Sequence, residues 1–146
     1  MQVLFLCTGN ACRSQMAEGF GRALAGPGVR VVSAGIEAHG LNPRAVQVMA
    51  ERGIDISGQQ STRLTPAMLA GTDLVVTVCD HADAHCPVLP PGTRVLRWSL
   101  PDPAAATGTD AEVLAVFRSV RDDVERLVTG LMAGHGPFEP EQGGTS

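Results

Sequence analysis

Val3-Leu4-Phe5-Leu6-Cys7-Thr8-Gly9-Asn10-Ala11-Cys12-Arg13-Ser14, continuing into Gln15-Met16-Ala17-Glu18-Gly19-Phe20, decides how the rest of the chain is read. Residues 3–6 are a short apolar run of the kind that forms a buried strand. Residues 14–24 then repeat apolar side chains at helical spacing, with Met16, Ala17, Phe20 and Leu24 on one face, until Gly26-Pro27-Gly28 ends the pattern. Between strand and helix a cysteine leaves, the chain curls, and Arg13 opens the helix. Successive backbone N–H groups in such a loop, together with a helix N-terminus, form an anion cradle. Gly9 and Asn10 tolerate the backbone angles of a tight loop. Arg13 can hold two oxygens of a tetrahedral oxyanion through its planar fork. The same positive surroundings favour the Cys7 thiolate, and the Ser14 hydroxyl can donate to it. The expected anion-binding residues are Thr8, Gly9, Asn10, Ala11, Cys12 and Arg13. A cysteine and an arginine at this spacing also occur by chance, in a plain strand-to-helix turn with a buried cysteine. The flanking strand, the amphipathic helix and the following serine favour the chemical reading.

Outward from this stretch, residues 29–33 read as a second strand stopped by Ala34-Gly35. Asn42-Pro43 is a helix start, with asparagine as N-cap and proline in the first turn, and the helix is predicted to run to Arg52 and stop at Gly53. Residues 66–70 predict a short helix, and residues 74–78 and 94–98 a third and fourth strand. Thr109 and Glu112 have the spacing of a capping box. Val113, Phe117, Val120, Val124, Leu127 and Leu131 follow as one apolar stripe, with Gly134 as the stop. The Gly-, Pro- and Glu-rich tail, residues 135–146, is expected to be disordered. Strands alternating with helices imply an α/β fold: a single domain over residues 1–134 with a four-stranded parallel sheet covered by helices on both faces. Ligands of such sheets bind beyond the carboxyl ends of the strands. The loops starting at Cys7 and Cys79 are therefore expected side by side.

Composition narrows the function. A chain of 146 residues fits one domain, and 44% hydrophobic residues suffice for a core without disulfides. The net charge is -4 and every basic residue is arginine. An acidic chain with no basic stretch argues against nucleic acid and anionic membranes as partners. The absence of lysine excludes Schiff-base chemistry and the lysine-bearing nucleotide loop. No signal peptide is visible and no apolar run approaches the roughly 20 residues of a membrane span, so a cytoplasmic protein is expected, and a monomer. Four cysteines in that setting point to redox catalysis or metal binding rather than permanent disulfides.

Residues 6–19, L-C-T-G-N-A-C-R-S-Q-M-A-E-G, and residues 33–43, S-A-G-I-E-A-H-G-L-N-P, resemble the low-molecular-weight tyrosine phosphatase superfamily, specifically its thioredoxin-coupled arsenate reductase branch, and the likeness extends over about residues 2–133. The resemblance implies the fold of those phosphatases, with arsenate or phosphate held by the loop and attacked by Cys7. It also implies a general acid in an Asp-Pro dipeptide, matched by Asp102-Pro103. Expelling an oxygen leaving group is hard without a proton donor, although an Asp-Pro pair on its own is equally a turn. Pro101 stands where the family often has an acidic residue. Ala104-Ala105-Ala106 stands where tyrosine phosphatases of this fold place aromatic residues, so the pocket is expected to take a small inorganic oxyanion.

Cys79 and Cys86 match the two further cysteines of the thioredoxin-coupled branch. The implied function is reduction of arsenate to arsenite by a three-cysteine relay, with Cys7 as nucleophile and Cys79 and Cys86 resolving, recycled by thioredoxin. Residues 80–85 are short and polar, which suits a segment that loops out. A low-molecular-weight phosphatase acting on small phosphate esters is the alternative. Cys79, His81, His85 and Cys86 could instead bind zinc, but their spacing is not a common pattern, and no metal site is expected. Cys12 matches the family without a redox step. Some members bind potassium, and Asn10 and Glu18 match two of the ligands. The later segment, Ser57-Gly58-Gln59-Gln60-Ser61-Thr62, carries glutamine and threonine where the potassium-binding members have threonine and aspartate, so neither potassium nor any tightly bound cofactor is predicted. His39 receives no role.

Overall fold

The computed structural model describes residues 1–133. Gly134 and the tail from His135 lie outside the described residues. Four parallel strands, β1 (Gln2–Cys7), β2 (Arg30–Gly35), β3 (Leu74–Thr77) and β4 (Arg94–Arg97), stand in the order β2-β1-β3-β4. β1 is central, and every one of its residues from Val3 to Cys7 is buried, so both faces of the sheet are covered. That is why it reads as a continuous apolar run rather than an alternating one.

Helices α1 (Arg13–Leu24) and α5 (Asp110–Met132) pack against each other, and α1 lies on β1 and β2. α2 (Pro43–Ala50) leans on α5, α3 (Pro66–Ala70) is a single turn buried through Leu69, and α4 (Asp80–Ala84) covers β1 and β3. The capping box at α5 is present as the spacing predicts. Thr109 Oγ1 accepts from the Glu112 amide at 3.2 Å, and Glu112 Oε1 accepts from the Thr109 amide at 2.8 Å. Asn42 caps α2 in the same manner, its Oδ1 accepting from the Arg44 amide at 2.8 Å. Among the described residues, no helix is long and apolar enough to cross a membrane.

Where the structure differs from expectation, the reasons are local. Leu24 closes α1 at its solvent end and is 44% exposed, since the apolar stripe has by then left the sheet. In α5 the buried position is Val128, with Leu127 half-buried beside it. α2 ends at Ala50, and a turn carries the chain to Gly53, whose φ of 76° suits glycine. Residues 80–84 form helix α4 rather than a loop, because Cys79 caps them and side chains from β3, β4 and the loop after β4 bond to them.

The most consequential difference lies at Gly35. Ala34-Gly35 reads as a stop, yet β2 continues through it. Gly35 pairs with Cys7, donates its amide to Thr62 O, and accepts from the Leu64 amide. A Cβ here would lie 2.1 Å from Glu37 O and 2.7 Å from Asn10 N, both backbone atoms that cannot swing aside. Glycine is the residue that lets the sheet run up against the Cys7 loop. Gly35→Ala is expected to destabilise the fold by about 1–3 kcal/mol, as overpacking of a close-packed site does. A drop in the thermal midpoint, together with weaker phosphate binding, checks this; an unchanged midpoint would contradict the close contact.

Candidate active site

The register Cys7↔Gly35 and Leu6↔Thr77 ends β1 and β3 at one edge of the sheet, where Cys7 and Cys79 emerge together. The loop between β1 and α1 is held from outside. The carbonyls of Cys7, Thr8, Gly9 and Ala11 accept from the amides of Ile36, Glu37, His39 and Asn42 at 2.8–3.0 Å. Carbonyls tied outward leave the loop's N–H groups for its concave side, the arrangement an oxyanion needs. Two residues make the curl possible. Asn10 sits at φ 49°, a left-handed conformation asparagine tolerates. A Cβ on Gly9 would meet the His39 ring at 2.3 Å.

Within the curl, Cys7 is 2% exposed, and its Sγ lies 2.8 Å from Ser14 Oγ and 3.1 Å from the Asn10 amide, which donates to it. Asn10 Nδ2 donates to Ser14 Oγ at 2.7 Å. With that lone pair engaged, the serine proton is directed at the Cys7 sulfur. Arg13 is buried; its Nη1 donates to Leu100 O at 3.0 Å, which fixes the guanidinium over the cradle. Its Nη2 lies 3.9 Å from Asp102 Oδ2. Asp102 is half-exposed at the rim, and its Oδ1 accepts from the Ala104 amide at 3.0 Å, capping a single 3-10 turn (Pro103–Ala105).

Cys7, Gly9, Cys12, Arg13, Asp102 and Ala104 all line one pocket of about 170 Å³, smaller than the roughly 300–1,000 Å³ of pockets for drug-sized ligands. His39 lines it too. Its Nε2 is 2.6 Å from Glu37 Oε1, and that contact holds the Glu37 carboxyl below its usual range. Sequence reasoning left His39 without a place. Its only signal was membership of the S-A-G-I-E-A-H stretch, because contact with Gly9 is a tertiary fact.

Cys12 occupies the N-cap position of α1 and is 4% exposed. Burial, followed by the proximity of Asp102 and Cys7, pushes its thiol up to about 12, against the opposing pull of Arg13. It remains a protonated, inert thiol.

The remaining cysteines flank α4. Cys79 is buried, and its Sγ accepts from the Ala82 amide at 3.4 Å, capping the helix. The same sulfur lies 3.4 Å from Thr8 Oγ1 of the cradle loop. Cys86, half-buried, lies beyond the other end of the helix, where burial and then Asp83 push its thiol up while Arg97 pulls it down. All four cysteines are free thiols. The rings of His81 and His85 stack at 4.1 Å, and His85 Nδ1 donates to His81 O. Among the described residues, no cluster of three or more His, Cys, Asp and Glu side chains is arranged to hold a metal ion.

A phosphatase-type loop at the carboxyl edge of this sheet defines the class, and comparison with known proteins agrees. The chain matches the low molecular weight phosphotyrosine protein phosphatase family over residues 2–136 and belongs to it. It is 52% identical over 126 residues to an arsenate reductase of Halalkalibacterium halodurans, covering 86% of this chain and 91% of that one. Among solved structures it is similar to an arsenate reductase in the phosphate binding state, with a TM-score of 0.73, 38% identity, and coverage of 90% of this chain and 96% of the other. It is also similar to an arginine phosphatase from Geobacillus stearothermophilus, with a TM-score of 0.76, 27% identity and 90% of each chain covered.

The contrast between Cys12 and Cys7 can be measured. In the native protein at pH 8, iodoacetamide is expected to modify Cys7 and leave Cys12 untouched until the chain is unfolded. Peptide mass spectrometry reads this directly, and native labelling of Cys12 at a rate comparable to Cys7 would contradict it.

Proposed function

We propose that this chain reduces arsenate to arsenite through Cys7, Cys79 and Cys86, with thioredoxin restoring the thiols. The observation that carries the reading is the second thiol at the cradle, Cys79 Sγ against Thr8 Oγ1 at 3.4 Å. Phosphate-ester hydrolysis needs one cysteine and water. Reduction of arsenic(V) to arsenic(III) needs an electron pair, which a second thiol supplies by forming a disulfide. The 52% identity to an arsenate reductase supports the same reading.

In the proposed sequence the loop amides and Arg13 bind arsenate, and Cys7 attacks arsenic while Asp102 protonates the departing oxygen, which leaves as water. Cys79 then attacks the Cys7 sulfur. The S–As electron pair passes to arsenic, arsenite leaves, and a Cys7–Cys79 disulfide remains. Cys86 attacks Cys79 and releases the Cys7 thiolate, and a dithiol protein such as thioredoxin reduces the Cys79–Cys86 disulfide. The helical backbone of α4 (Asp80–Ala84) stands between Cys79 and Cys86, whereas a disulfide requires Cα atoms within about 7 Å. α4 therefore unwinds in this step.

The test couples thioredoxin, its reductase and NADPH to arsenate. Arsenate-dependent NADPH oxidation is expected for the wild type and none for Cys79→Ser. Cys86→Ser should block repeated turnover while leaving hydrolysis of a small phosphate ester intact. Asp102→Asn should slow that hydrolysis by about 10²–10⁴-fold. Absence of arsenate-dependent oxidation beside robust ester hydrolysis would replace this reading with a phosphatase whose extra cysteines sense redox state.

A further inference from the structure

Behind the cradle, a cleft of about 450 Å³ opens between α1, β2 and the segment 55–62, and the carboxylate of Glu18 reaches into it. Glu18 is 6% exposed, and the mechanism above makes no use of it. Its hydrogen bonds nevertheless lead to the nucleophile. Ser33 Oγ donates to Glu18 Oε1 at 2.6 Å, Asn10 Nδ2 donates to Ser33 Oγ at 3.0 Å, and the other proton of that amide goes to Ser14 Oγ at 2.7 Å. Ser14 lies 2.8 Å from Cys7 Sγ.

Every donor direction in this chain is fixed. Asn10 Oδ1 accepts from the Thr62 amide at 2.7 Å and from Gln15 Nε2 at 3.1 Å, so the Asn10 amide nitrogen must face the two serines. A carboxylate only accepts, so the Ser33 proton points to Glu18. The single proton of Ser33 is thus committed to Glu18, and the single proton of Ser14 goes to Cys7.

A buried carboxylate at the end of a hydrogen-bonded chain needs a positive partner. A monovalent cation from solution is one candidate. The potassium pattern set out above is poorly matched, since Thr62 replaces the carboxylate and Asn10 Oδ1 and both Glu18 oxygens already have partners within the chain. The partner of Glu18 Oε2 is Arg22 Nη2 at 2.6 Å, one helical turn further along α1 with the glutamate on its N-terminal side.

We propose that Arg22 is the built-in counter-cation of this network: paired with Glu18, it positions the Ser33–Asn10–Ser14 relay so that the Ser14 hydroxyl stays aimed at Cys7 Sγ without a cation from solution. Arg22 is a positioning residue and touches no substrate. The proposal rests on the reading of Cys7 as nucleophile, and it predicts that the chain is indifferent to potassium. The Arg22 side chain is 59% exposed, so its replacement leaves the core intact.

The readout is the rate of Cys7 alkylation by iodoacetamide at pH 7 and constant ionic strength, in potassium chloride and in tetramethylammonium chloride, followed by peptide mass spectrometry. Wild type should react at one rate in both salts. Arg22→Gln in tetramethylammonium should react about threefold to tenfold more slowly, as expected for one uncompensated charge roughly 10 Å away. Arg22→Lys, which keeps the charge, should restore the rate. An unslowed glutamine variant, a lysine variant as slow as the glutamine one, or a wild-type rate that rises with potassium would each overturn the proposal. Alkylation requires no arsenate. A wild type without arsenate turnover would therefore sink the proposed function while these rates still decided the role of Arg22.

Discussion

The side chain of Asn10 stands at the junction of everything the site does. Its backbone takes the left-handed turn that closes the cradle, and its amide donates to Cys7 Sγ. Its side chain is fully buried and saturated, with Oδ1 accepting twice and Nδ2 donating twice. A buried amide with every bond satisfied has one orientation, because reversing it would set donors against donors. That single orientation fixes the rotamers of Ser14 and Ser33, and through Thr62 it ties the segment after α2 to the loop after β1. Loop shape and the aim of the Ser14 hydroxyl at Cys7 thus become one constraint. Any residue that relaxed Asn10 would loosen the cradle and disorient the Ser14 proton together.

A second economy involves Cys79. Its sulfur caps α4, a helix of 5 residues, far too short to stand on its own. The helix persists through contacts at its flanks: Asp80 accepts from the Ser99 hydroxyl, and Asp83 accepts from Thr77 and from Arg97. In the proposed relay, the atom that attacks Cys7 is the atom that caps the helix. Once Cys79 is oxidised the cap is spent, and unwinding becomes easier at the moment Cys86 has to approach. Restoration of the thiol restores the cap. The marginal length of α4 is in this sense suited to the chemistry, since a longer helix would resist the opening that a Cys79–Cys86 disulfide requires.

The fold was legible because its signals are local. Residues 3–6 announce a buried strand, Asn42-Pro43 a helix start, and Thr109 with Glu112 a capping box, and each acts within a few residues of itself. The cradle was legible for the same reason, since Cys7, Arg13 and Ser14 are spaced by the loop they build. What escaped was set by distant partners. α4 exists because β3, β4 and the loop beyond them supply bonds that no window of residues 80–85 contains. Gly35 looked like a terminator because its closeness to Glu37 and Asn10 belongs to the folded chain. His39 had no place until the backbone brought it over Gly9, and the link from Glu18 to Cys7 runs through residues spread over α1 and β2.

The pocket itself argues for a small substrate on steric grounds. Ala104 forms part of its wall, and the 3-10 turn that carries it is pinned by the Asp102 cap, so the carboxyl and the small side chain come as one unit. Among the described residues, no Phe or Trp ring lines the pocket to grip a large leaving group. Trp98 is turned toward Phe5, with ring centroids 5.8 Å apart, and packs half-buried against the core. Binding energy must then come from the oxyanion, through loop amides and the Arg13 fork, instead of from an ester's organic half. A site with that distribution treats phosphate and arsenate almost alike in the ground state. In the proposed relay, discrimination falls to the step only arsenic permits, in which a neighbouring thiol takes the Cys7 sulfur and the departing S–As pair reduces the metalloid. Cys79, beside Thr8, stands where that step would occur.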